Sequence, residues 1–296
     1  MLTAMEHREW KGTTAGTGGM HRSLIRALQV LPLGWVYLGA AVFVIPFCMI
    51  FAHKGYLSIY HFFRRRMGYG VWKSFFATYR NHVKFAEIII DRFYMYGGGT
   101  FEFDIENYDR YLQLARQKGG FVILSAHVGN YEAAGYSLVA SDKPFNALVY
   151  GGEVETVMEN RERILSAHRI HMIPVSKDMS HLFVMSNALS EGEVVSIPGD
   201  RIFGSPRHVT CRFMGAEAKF PLGPFTLAVQ REVPVLTVMV MKESRKKYRI
   251  MIHELAAVGE NNKDKVQHLA QQFASRLEDA VDQYPTQWFN YYEFWD

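Results

Sequence analysis

At 296 residues the chain is long enough for one large core plus an appended segment, and 49% hydrophobic against 21% charged residues excludes a disordered chain. A formal net charge of +4 is too weak a bias to separate nucleic acid from anionic lipid or an acidic protein partner. Cys48 and Cys211 show neither CxxC nor zinc spacing, which excludes a disulfide scaffold and points to a reducing compartment.

Residues 1–26 read as a flexible leader, Gly- and Thr-rich from Lys11 to Met20. Ala27–Ala52 then carries no charged residue. A helix of about 20 residues matches the hydrocarbon core of a bilayer, so residues 27–55 read as a membrane helix, with Trp35 and Tyr37 at one interface. Pro32 and Pro46 imply a kink or partial insertion. A cleaved signal peptide is disfavoured by the length of the run and the lack of a small-residue cleavage pattern; a buried core helix is the other reading. Basic residues follow the run (His53, Lys54, Arg64, Arg65, Arg66) more densely than they precede it (His21, Arg22, Arg26), which places that end in the cytoplasm. Residues 56–100 interleave aromatic and basic side chains, as an interfacial helix does and as a packed helix with a solvated basic face also does.

From residue 101 to 296 helical and strand patterns alternate. Ile105, Tyr108, Leu112 and Ala115 recur at helical spacing before Gly119-Gly120. Phe121–Ala126 reads as a buried strand, Tyr131–Val139 as a helix, Phe145–Tyr150 as a strand and Val154–Ala167 as a helix. His171–Val175 reads as a strand, Met179–Ser190 as a helix, and Val194–Pro198, Val209–Phe213, Val235–Met241 and Tyr248–His253 as strands. Lys263–Tyr284 is an amphipathic helix with Val266, Leu269, Phe273, Leu277 and Val281 on one face. The expected fold is α/β: a mixed, mostly parallel sheet flanked by helices, with ligands at the carboxyl ends of strands.

His127-Val128-Gly129-Asn130-Tyr131-Glu132 directly follows the first strand of this series. On an ideal helix five residues turn through roughly 500°, so the two side chains share no face. Gly129 and Asn130 supply a turn that would bring them together, with Asn130 as N-cap. A neutral imidazole can take the proton of an attacking hydroxyl near neutral pH, and a carboxylate on its other nitrogen fixes the tautomer. That role falls here to Glu132. No G-x-S-x-G elbow is present, and direct attack by the acceptor needs no acyl-enzyme.

SAHVGNYEAAG resembles the H-x4-D/E block of the lysophospholipid acyltransferase superfamily, and more closely that of the bacterial lipid A late acyltransferases (lauroyl and myristoyl transferases). Residues 197–230, IPGDRIFGSPRHVTCRFMGAEAKFPLGPFTLAVQ, and the ending YPTQWFNYYEFW are similar to further blocks of that family. The resemblance spans most of residues 27–296. Gly199 separates Pro198 from Asp200, where the family has Pro-Asp adjacent, and Ile202 replaces a second acidic residue. The resemblance implies His127 and Glu132 as the catalytic pair, with Asn130, Asp200, Arg201, Phe213 and Gly215 toward the substrate. It also implies a basic residue between the blocks: Arg161, Arg163 or Arg169, of which Arg163 is favoured. It further implies an acyl-carrier-protein or CoA thioester as co-substrate with no cofactor, a lipid A-like acceptor, and the bacterial inner membrane with the catalytic domain facing the cytoplasm.

Phe213–Gly223 reads as a loop whose backbone N–H groups would suit an oxyanion. Lys242–Arg249 reads as a basic hairpin turn. Arg201, Arg207, His208, Arg212 and Lys219 suit a phosphate, a carboxylate or an acidic carrier. His168 and His171 lack companions, so no metal is expected, and no nucleic-acid module is present. Two other functions fit the same features: acylation of a different acceptor, such as an amino-acid lipid or a polyene pigment, and non-catalytic lipid binding at the membrane.

Overall fold

A computed structural model of the chain describes residues 17–51, 55–138, 143–149, 158–160, 162, 166, 170–176, 178–202 and 206–295. The uncharged run is divided in two. Helix α1, Gly18–Val30, is capped by the Thr17 side chain and ends before Pro32, whose ring cannot continue it. Residues 18–26, read from sequence as leader, are therefore helical. Helix α2, Leu33–Phe51, has mean hydropathy 2.1 and is long and apolar enough to cross a membrane. Its middle turn, Ala40–Val44, is a π-helix, placed just before Pro46 where the α-helical hydrogen bond would be missing anyway.

Helix α3, Tyr56–His61, runs on as a π turn over Phe62–Arg66. Helix α4, Val71–Tyr96, is the long strut of the molecule. Leu28, Leu33 and Tyr37 pack on its Ile90, Phe93 and Tyr96. The outer faces of α2 and of the first turns of α4 stay uncovered: Phe43 is 74% exposed, Trp72 75% and Phe76 61%.

The main domain follows in chain order as β1 (Glu102–Ile105), α5 (Tyr108–Arg116), β2 (Phe121–Ser125), α6 (Tyr131–Ser137), β3 (Phe145–Val149), β4 (Ile170–Pro174), α7 (Ser180–Ser190) and β5 (Val194–Pro198). After these come β6 (His208–Phe213), β7 (Ala216–Pro221), α8 (Leu222–Arg231), β8 (Val235–Lys242), β9 (Lys247–Leu255) and α9 (Asn262–Gln283). Seven strands form one sheet in the order β1-β9-β8-β2-β5-β3-β4. All its pairings are parallel except β8–β9, the hairpin foreseen around the basic Lys242–Arg249 turn. Strand β2 is buried along its whole length, as its unbroken apolar run requires at the centre of a parallel sheet.

Two further sequence expectations change. Ile105, placed in a helix by its spacing, lies in β1, a four-residue strand too short to show a period. Phe213–Gly223 is no loop: β6 and β7 form an antiparallel hairpin through Met214 and Gly215, both left-handed, and α8 begins at Leu222. The helix expected over Val154–Ala167 falls mostly outside the described residues, and Arg161, Arg163 and Arg169 lie outside them entirely.

The C-terminal tail closes the core over the sheet's carboxyl end. Trp288 is buried among Phe62, Phe213, Phe294 and Trp295. Asn81 of α4 holds the Trp288 carbonyl at 2.7 Å.

Candidate active site

Strands β2 and β5 are neighbours in register, with Ser125 opposite Pro198. Each chain runs two residues further, to His127 and to Asp200. The Gly199 N–H donates to the Ser125 carbonyl at 2.8 Å, so the register persists past the strand ends. Asp200, fully buried, therefore lies beside His127 and grips it twice. One carboxylate oxygen accepts the His127 backbone N–H at 2.8 Å; the other accepts Nδ1–H at 2.8 Å. On the opposite side the Phe289 N–H donates to the His127 carbonyl at 3.0 Å. The main chain of His127 is thus pinned from both sides. Nε2 is left as the nitrogen free for a substrate, and the side chain is 20% exposed.

Burial, followed by the positive charge of Arg201, lowers the His127 pKa below its ordinary value of 6.5, against the opposing pull of Asp200. The imidazole is then neutral near pH 7, the form a general base needs. Burial pushes Asp200 up, but His127 and Arg201 together outweigh it and hold the carboxylate ionised.

Glu132 does not occupy the expected place on the second imidazole nitrogen, because Asp200 already holds it. In the first turn of α6, its carboxylate is paired with Arg92 Nε of α4 at 2.6 Å and accepts the Tyr96 hydroxyl at 3.3 Å. Both Arg92 and Glu132 are nearly buried, so the pair ties α6 to α4 beside the histidine. The intervening turn is built by Gly129, at φ +52°, whose N–H reaches the Gln287 carbonyl at 2.9 Å. An added Cβ would stand 2.0 Å from the Val240 carbonyl oxygen. Gly129→Ala is expected to cost about 3 kcal/mol from left-handed strain and this clash. That is a fall of roughly 5–10 °C in Tm for a chain of this size, measurable by calorimetry in detergent.

Asn130 is not the cap it was expected to be. Its side chain makes no capping bond and turns inward, donating to the Tyr248 hydroxyl at 3.3 Å, fully buried. Arg201 lies beside the histidine, held by the Phe289 carbonyl at 2.6 Å. Phe213 and Gly215 are elsewhere: Phe213 is in the aromatic core and Gly215 at the hairpin tip. Two N–H groups of that hairpin are committed to side chains, Met214 to Glu278 at 2.7 Å and Arg212 to Gln271 at 2.8 Å, and are not open to an oxyanion.

Sequence reading missed Arg92, Tyr96 and the support from residues 287–289. An Asp91-Arg92 step inside the apolar stretch IIIDRFYMY was the available signal, since charges at such positions persist when paired.

No protein of curated function matches the chain. The sequence profile of the bacterial lipid A biosynthesis acyltransferases matches residues 99–295, the segment that holds the whole sheet and both members of the His127–Asp200 pair. The chain belongs to the bacterial lipid A biosynthesis acyltransferase family.

Proposed function

We propose that the protein moves a fatty acyl chain from an acyl thioester, on acyl-carrier protein or CoA, to a hydroxyl of a lipid A-like acceptor. The observation that carries this reading is the two-point grip of buried Asp200 on a neutral His127 whose Nε2 is free. The acceptor hydroxyl gives its proton to Nε2 as its oxygen attacks the thioester carbonyl. Asp200 stabilises the imidazolium that forms. The tetrahedral intermediate collapses, the C–S bond breaks, and the thiolate recovers the proton from Nε2. Arg201, the cation felt at His127, supplies positive charge for the developing oxyanion. The Arg92–Glu132 pair holds α6 and the His127 turn against α4. The uncovered apolar face of α2 supports placement at a membrane, with the catalytic domain on the cytoplasmic side of the inner membrane.

Lipid extracts from cells with and without the gene test the acceptor. Deletion is expected to remove one acylated lipid A species by mass spectrometry, restored by the wild-type gene and not by His127→Ala. Loss of another acylated lipid with lipid A unchanged would move the acceptor to that lipid.

A further inference from the structure

A concavity lies against the Lys73–Lys84 stripe of α4. It is a cleft of ≈ 650 Å³ between α4, the end of β8 and residues 283–287. Lys73, Arg80 and Lys84 rise along one stripe of α4 into it, at helical spacings of seven and four residues. Lys84 is paired with Glu87 at 2.8 Å, and the buried ammonium of Lys242, also in the lining, is paired with Asp91. Arg80 makes no ion pair among the described residues. Lys73 rests on the face of the Tyr69 ring at 3.6 Å, a contact that leaves its charge in place. Glu243, the carboxylate in the lining, accepts the Tyr284 hydroxyl. The cleft thus sets two cations free of ion pairs among the described residues, Lys73 and Arg80, against the single carboxylate of Glu243, over a floor of Ala77, Tyr284 and Pro285.

Phe76 also lines the cleft, and the same turns of α4 expose Val71, Trp72 and Phe75. The cationic cleft therefore adjoins an apolar aromatic surface on the same helix. A protein partner would bury such aromatics in a flat or matching interface. Cations set one helical turn from exposed Trp and Phe are instead the arrangement that seats a charged headgroup while its acyl chains meet the aromatics. We propose that this cleft binds the phosphate-bearing headgroup of an anionic membrane lipid, at a site separate from His127. The inference rests on the membrane placement proposed above, not on the chemistry assigned to His127.

The test uses the full chain in non-ionic detergent, titrated with short-chain phosphatidic acid, with phosphatidylcholine of the same chains, with inorganic phosphate and with acyl-carrier protein, and read by calorimetry. Each surface cation contributes about fivefold to an anionic lipid, so Lys73→Gln with Arg80→Gln should weaken phosphatidic acid about 30-fold and leave phosphatidylcholine unchanged. Undiminished phosphatidic acid binding by this pair of substitutions would overturn the site. Inorganic phosphate binding as tightly as phosphatidic acid would overturn the headgroup as its source. Loss of binding to an acidic carrier protein, with phosphatidic acid unaffected, would reassign the cleft to that protein. His127→Ala should bind phosphatidic acid as the wild type does, so failure of the catalytic reading leaves this result intact.

Discussion

His127→Ala should lower kcat for acyl transfer by about 10³-fold or more while leaving the fold intact, because on the mechanism proposed above it removes the base. The sharper experiment concerns its carboxylate. Asp200→Asn preserves shape, but the amide NH₂ would face Nδ1 and force the proton onto Nε2, the nitrogen that must accept one. A loss of about 10³–10⁴-fold is expected. The pH profile separates this from a merely structural effect. The active imidazole is neutral, so kcat/KM falls as pH drops through a folded pKa lying below 6.5. Asp200 raises that pKa, so its neutralisation should carry the acid limb of the residual activity to still lower pH. Glu132→Gln should leave the limb where it stands, whatever it does to kcat, because that carboxylate is engaged with Arg92. An acid limb that moves with Glu132 and not with Asp200 would reverse the assignment.

That contrast shows what the sequence could and could not disclose. His127 was legible because an unbroken apolar run of strand length ends just before it. Its partner was not, since five residues of local spacing say nothing about a neighbour brought in across the sheet. Both His127 and Asp200 stand two residues beyond a strand end, and the Gly199 that interrupts the family's Pro-Asp step is the residue that completes this match. Reading it required knowing that β5 lies next to β2, with β3 and β4 beyond it, an order that no periodicity encodes. The same limit hid the Arg92–Glu132 pair. The β6–β7 hairpin was hidden differently: its turn places methionine, not asparagine or aspartate, in a left-handed position before Gly215, and the glycines and prolines around it imitate a loop. The β8–β9 hairpin was readable because a charged, polar turn separates two strongly apolar strands.

The largest stability effect is expected at Lys242. Its ammonium, buried at the end of β8, contacts Asp91 and donates to the Tyr37 hydroxyl at 2.9 Å, while the Tyr248 hydroxyl also meets Asp91. Burial pushes the Asp91 carboxyl above its ordinary range and the Lys242 ammonium below its own, so desolvation works against both charges even as they face each other. Removing one partner strands the other. Lys242→Met should therefore destabilise the protein by about 3–5 kcal/mol in denaturant unfolding. Adding Asp91→Asn should recover a substantial part, because the stranded charge is then gone and the amide still accepts a tyrosine hydroxyl. The sign with pH follows. In Lys242→Met the Asp91 pKa is higher folded than unfolded, so the folded state binds the extra proton, and the deficit should shrink as pH is lowered toward the ordinary carboxylate value of 3.8. A deficit independent of pH, or no recovery in the double variant, would mean the charge pair is not the cause. The network also joins three parts of the chain: Tyr37 belongs to α2, Asp91 to α4, and Tyr248 receives the Asn130 side chain from the His127 turn. Hydrogen exchange in Lys242→Met should accordingly rise together in the first turns of α2 and at residues 128–131, coupling the apolar N-terminal helix to the His127 turn through one buried charge.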